Sequence, residues 1–297
     1  MTKSQVAKLT DEVLPESQDR SQIQAMHSSK LESDREVADS ENSKYTIDLI
    51  GSPVTAAPFN SQIETILKWA IKCESRYVCV ANVHMLMEAY WHPEFATVLS
   101  NADLVTPDGT PLVWMMKLLG ERTQNRVAGL DILLAVCQLA SQQNLRVFFL
   151  GSHTTVLESM RVRLEREFPN LQIAGMEPLP FRPLTLAEDN DIIQKIHDSA
   201  ARVVFVSLGC PKQEYWMSEH KGKIQAVTIG LGGAFPVFAG IHKKAPLYIQ
   251  RLGFEWLYRL IQEPRRLWRR YSSTIPPFIW LACKQLIVSS SPICDRF

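Results

Sequence analysis

Val203 to Glu214 reads VVFVSLGCPKQE, and this stretch decides the fold. It opens with β-branched and aromatic residues and breaks at Gly209, the pattern of a short strand buried on both faces that ends in a turn. Working outward, Tyr77 to Ala81 (YVCVA), Val147 to Leu150 (VFFL) and Ala226 to Ile229 (AVTI) have the same character. Leu130 to Gln142 and Thr155 to Glu167 carry helical periodicity instead. Strands alternating with helices predict an α/β fold with a largely parallel sheet covered on both faces. In such sheets the ligand crevice lies at the carboxyl ends of the strands. The residues to weigh are therefore those after each run: Asn82, then Gly151-Ser152, then Gly209 to Glu214, then Gly230-Leu231-Gly232-Gly233.

The flanks read differently. Met1 to Lys44 holds nine acidic and six basic residues and no aromatic one, so residues 1–44 are expected to form a disordered tail. They lack the basic start and apolar run of a signal peptide, so export is not expected. Six scattered cysteines without a C-x-x-C pair suit a reducing compartment better than a disulfide framework or a zinc site. No apolar run reaches the about 18 residues that span a bilayer. The nearest, Ile275 to Val288, begins with two prolines and is interrupted by Lys284, which predicts a surface-lying or packed segment. After residues 45–250, which carry the α/β pattern, residues 251–297 form a basic, aromatic appendage. Arg251, Arg259, Arg265, Arg266, Arg269 and Arg270 stand there against Glu255 and Glu263, interleaved with Trp256, Tyr258 and Trp268. Arginine with aromatic residues suits a lipid headgroup interface.

Several residues could carry chemistry. Asp108 lies in NADLVTPDG, where an acid beside Pro and Gly either bonds nearby backbone amides or faces a site. Arg126, in RVAGLD, can hold a phosphate through paired hydrogen bonds or form a surface salt bridge. In SLGCPKQE, Gly209 permits close backbone approach while Lys212 and Gln213 offer donors; a turn leading into a helix explains the same residues. IGLGGAF has Phe235 where a dinucleotide fingerprint needs its third glycine, so nicotinamide or flavin binding is disfavoured. Asp189-Asn190-Asp191 matches the D-x-D pattern that holds a cation, but helix-start carboxylates are the simpler account. No histidine spacing suggests a metal, and no metal or cofactor is expected.

Read in order, VANVHMLMEAY, ADLVTPDGTPLVW, RVAGLD, VFFLGS, SLGCPKQE, IGLGGAFPVFAG, KKAP and GFEWLYRLIQEPRRLWRRY closely resemble the WecG/TagA/CpsF family of glycosyltransferases. The resemblance runs from about Tyr77 to Tyr271 in family order. It implies a Rossmann-like domain with a helical, membrane-associating C-terminal appendage, on the cytoplasmic face of the plasma membrane. It implies an inverting, metal-independent transfer of N-acetylmannosamine, its uronic acid, glucose or a similar sugar from a UDP-sugar to a polyprenyl-diphosphate-linked sugar in cell-surface polysaccharide synthesis. Asp108 then matches the general base, with Arg126 and Gln213 lining the pocket as catalytic groups. Asn82, Gly151, Gly209, Lys212, Glu214, Gly230, Gly232 and Gly233 fall on the substrate-binding strand ends, and Arg259, Arg266 and Arg269 on the appendage arginines that stabilise diphosphate charge. Two positions depart from the family pattern. Val80 stands where many members have Thr, and Pro236 where many have Asp, which bears on sugar specificity rather than reaction type.

Two other function classes are weighed against this one. A catalytically idle scaffold that keeps the fold and binds membrane or a partner would accommodate Val80 and Pro236. Nucleic-acid binding through the arginines is disfavoured, because the run is short, mixed with apolar residues, and set in a chain of net charge +1. Self-association that hides the apolar C-terminus is expected where no membrane is present.

Overall fold

A computed structural model describes residues 46–180, 182–251 and 253–290, without the side chains of residues 247, 251, 266 and 290. The expected tail at 1–44 lies outside the described residues.

The runs that open the argument form the middle of a six-stranded sheet. Its strands are β3 (Arg76–Ala81), β4 (Leu104–Pro107), β5 (Arg146–Gly151), β6 (Gln172–Glu177), β7 (Val203–Ser207) and β8 (Val227–Gly230), in the spatial order β4-β3-β8-β7-β5-β6. Every neighbouring pair is parallel. Alternation explains why the central strands read as unbroken apolar runs: Val204 and Val206 enter the core on one face while Val203 and Phe205 enter it on the other. A hairpin of β1 (Thr46–Leu49) and β2 (Ser52–Thr55) precedes the sheet. It covers the edge at β4, where the Val105 amide donates to Thr55 Oγ1 at 3.1 Å.

Helices fill both faces. One layer is α1 (Phe59–Ile71), α5 (Gly129–Gln142), α6 (Thr154–Glu167) and α9 (Ala234–Phe238); these pack on Val78, Phe149, Phe205 and Ile229. On the other face α2 (Val83–Trp91), α3 (Pro93–Ser100), α4 (Thr110–Leu118), α7 (Leu186–Asp198) and α8 (Lys212–His220) pack around Tyr77, Cys79, Phe148 and Val204. Helix starts follow local chemistry. Thr185 and Glu188 form a reciprocal capping box on α7, and the Asn82 side chain accepts from the Met85 amide to cap α2. The predicted helices at 130–142 and 155–167 are α5 and α6.

The C-terminal part is helical: α10 (Leu247–Arg251), α11 (Glu255–Gln262) and α12 (Pro264–Ser290). The segment 275–288 lies within α12, with Pro276 and Pro277 inside the helix. It is packed on one side and open on the other. Phe278 and Leu281 join the core beside Met85 and Leu86, whereas Ile279, Trp280, Ile287 and Val288 are exposed. Among the described residues no helix is long and apolar enough to cross a membrane.

Candidate active site

The carboxyl edge of the sheet gathers the polar residues. Asp108 follows β4 directly, and its amide donates at 2.9 Å to the carbonyl of Ala81, the last residue of β3. That bond sets Asp108 beside Asn82. Gly109 lies so close that a side chain there would touch Asn82 at 3.5 Å. The Val127 amide donates to Pro107 O at 2.9 Å, which brings Arg126 alongside, with Nε 3.7 Å from Asp108 Oδ1. Arg126 also pairs with Glu255 at the start of α11, and Glu255 Oε1 lies 3.0 Å from Arg259 Nη2. Arg259 in turn reaches the turn after β8, its Nη1 standing 3.8 Å from where a Cβ on Gly233 would sit.

These charges shape one another. Burial pushes the Asp108 carboxyl above its ordinary range, although Arg126 and Arg259 pull the other way. Burial would also raise Glu255, but there Arg259 and Arg126 win and hold it below the ordinary value. A recessed carboxylate with raised proton affinity beside two guanidinium groups can accept a proton while the cations hold an anion.

The glycine-rich turn is built around Gln213. Its Oε1 accepts from the Gly209 amide at 3.2 Å, and its Nε2 donates to Glu214 Oε1 at 2.7 Å. A Cβ on Gly230 would lie 2.9 Å from that Nε2, and one on Gly232, at φ +46°, would lie 3.2 Å from Oε1. The glycines therefore leave room for the Gln213 amide. Gly151, at φ +91°, is required in another way, since a Cβ there would strike the Ser207 carbonyl at 2.5 Å.

The other expected residues differ in exposure. Glu214 is fully buried behind Gln213, so it supports the pocket and does not offer a surface to a ligand. Its second oxygen has no hydrogen-bond partner among the described residues, and burial pushes its carboxyl up to about 7. Lys212 is exposed at the start of α8, and Arg269 is exposed on α12. The side chain of Arg266 lies outside the described residues. Asp189 and Asp191 sit at and near the start of α7, as the helix-start account holds. Asp189 accepts from Trp216 Nε1 and pairs with His220 at 2.9 Å, while Asp191 pairs with Lys195 at 3.1 Å.

Two features escaped the sequence reading. In the sequence Glu255 stands as a charge opposing the arginines, and its spacing four residues before Arg259 is a local signal for an ion pair. His84, the second residue of α2, is lowered to about 4 by burial and by the charge of Arg270, so α12 bears electrostatically on the helix that Asn82 caps.

Fold and site together define a parallel-sheet α/β enzyme that presents a carboxylate and paired guanidinium groups at the strand ends. Residues 47–292 match the family model described as Glycosyl transferase WecG/TagA/CpsF family, and the chain belongs to that family. It is a glycosyltransferase. Among its relatives is an N-acetylglucosaminyldiphosphoundecaprenol N-acetyl-beta-D-mannosaminyltransferase of Bacillus spizizenii, 35% identical over 83% of this chain and 92% of the relative. A Bacillus subtilis protein of the same name is 33% identical over 70% of this chain and 79% of its own length. One from Staphylococcus aureus is 28% identical over 70% and 80%.

Proposed function

We propose that this chain transfers a sugar, N-acetylmannosamine or a close relative, from a UDP-sugar to a polyprenyl-diphosphate-linked N-acetylglucosamine, with inversion and without a metal ion. The observation that carries the reading is Asp108, recessed at the end of β4 with Arg126 Nε 3.7 Å away. The names of the relatives support the transferred sugar and the acceptor class.

In this reading Asp108 takes the proton from the acceptor hydroxyl as its oxygen attacks the anomeric carbon. The raised proton affinity of the half-buried carboxyl suits that role. As the bond from the anomeric carbon to UDP breaks, Arg126 and Arg259 offset the charge that grows on the diphosphate, the work a cation does in metal-dependent transferases. Gln213 and the glycine turn after β8 form the floor against which the donor lies, held close by the absence of side chains. The exposed apolar face of α12 and the arginines before it would rest on a membrane where the acceptor's lipid is anchored, placing the protein peripherally on the cytoplasmic leaflet.

The test is transfer from UDP-N-acetylmannosamine to a short-chain polyprenyl diphosphate N-acetylglucosamine, followed by mass spectrometry. Asp108→Asn is expected to lower kcat by about 10²- to 10⁴-fold, with donor binding little changed. Turnover within about threefold of the parent would remove Asp108 from the role of base.

A further inference from the structure

The set of Asp108, Arg126 and Arg259 takes its shape from a fourth residue. Each carboxylate oxygen of Glu255 engages one guanidinium: Oε2 pairs with Arg126, and Oε1 lies 3.0 Å from Arg259 Nη2. The tie to Arg126 crosses 129 residues of chain and joins the loop beside β4 to the first turn of α11. No described residue of α11 is fully buried, and Trp256 packs edge-on against Tyr271 of α12 at 5.9 Å between ring centroids. At its far end Gln262 exchanges two hydrogen bonds of 3.1 Å with the backbone of Lys243. At its near end the anchor is the Glu255 carboxylate, whose side chain is only 17% exposed.

We propose that Glu255 is a positioning residue for the transfer reaction: it holds Arg126 and Arg259 side by side against Asp108 and so ties α11 to the crevice. The proposal rests on the reading of Asp108 as the base. A guanidinium carries five N–H donors in a fixed plane, so a bond to Glu255 fixes each plane and leaves other donors for a diphosphate. Glu255 also sets the charge balance. Arg126, Arg259, Glu255 and Asp131 all act on Asp108, and Asp131 is itself paired with Lys244 at 3.3 Å. The negative charge of Glu255 offsets part of the pull of the two arginines and so keeps Asp108 more basic.

The test measures UDP release and transfer as a function of pH for the parent, Glu255→Gln, Glu255→Asp and Asp108→Asn, with UDP-N-acetylmannosamine and the short-chain acceptor. In Glu255→Gln the arginines act on Asp108 with one opposing charge fewer, so the acidic limb of kcat/KM should move down by on the order of one pH unit and kcat should fall about tenfold. Glu255→Asp keeps the charge but is one methylene short of bridging both arginines. Its limb should stay at the parent's pH while kcat falls. A merely structural contact predicts no movement of the limb in either variant. Asp108→Asn should abolish the limb; if the limb persists, the base assignment falls and the Glu255 role with it. If the limb vanishes there, yet either Glu255 variant keeps the parent's kcat or Glu255→Gln keeps its limb, the Glu255 role alone is overturned. Thermal melts identify a variant that does not fold, in which case the other Glu255 variant decides.

Discussion

Replacing Glu214 by Gln should make the protein more tolerant of alkaline pH, by an amount that the structure sets. The carboxyl is fully buried, one oxygen accepts from Gln213, and its proton is held up to about pH 7 against an ordinary 4.5. Between those values the folded chain keeps a proton that the unfolded chain has released, so stability falls as pH rises through the window and levels off above it. From pH 5 to pH 8 this single group removes about 2 to 3 kcal/mol. Gln keeps the shape and an acceptor for Gln213 but cannot ionise. The variant should therefore gain about 2 to 3 kcal/mol on the parent across that range, which widens the gap in thermal midpoint by about 5 to 10 °C for a chain of this size. The assay is a pair of melts at pH 5, 6, 7 and 8, compared as differences so that every other titrating group cancels. A parent-to-variant gap that stays constant from pH 5 to 8 would refute a proton held in this core.

Two further outcomes follow from the geometry. Gly230→Ala puts a methyl 2.8 Å from Met217 Cε and 2.9 Å from Gln213 Nε2, so it should cost about 1 to 3 kcal/mol in urea unfolding and displace the amide. Donor KM should then rise about tenfold, and an unchanged KM would separate Gln213 from donor binding. Trp280→Asp combined with Ile287→Asp removes two exposed apolar side chains from α12 and should weaken sedimentation with anionic lipid vesicles by at least about tenfold; equal sedimentation would remove this face from membrane contact.

The sheet was legible where it is most buried. β3, β5, β7 and β8 occupy the middle, so both faces demand β-branched or aromatic residues and the runs stand out. β4 and β6 lie at the edges and gave weaker signals. Leu104–Pro107 is four residues long and merges into the turn that carries Asp108, and Gln172–Glu177 is largely half-buried, with polar ends. The hairpin of β1 and β2 went unread for the same reason, being short and partly polar. In the site, the residues directly after strands could be placed because a parallel sheet puts them on one edge. The partner of Arg126 could not, because Glu255 is 129 residues away and only tertiary packing brings the two together. Burial of Glu214 was equally hidden, since a charged residue after Gln213 reads as a surface group open to a ligand until the fold turns it inward.

The last described helix and the first described hairpin are pinned to each other. Gln285 of α12 accepts from the Ile50 amide at 2.8 Å and donates to the Asp48 carbonyl at 2.8 Å, across 235 residues of sequence. During synthesis the hairpin emerges early and must wait for nearly the whole chain before its clasp arrives. Contacts of such span are late and slow to form, so the α/β layer spends its assembly with a flank unsealed. A shortened protein ending before α12 would keep that flank open for good, with the surface under Phe278 and Leu281 laid bare. Loss of activity on such a cut would then report a half-finished core as much as a missing foothold on lipid.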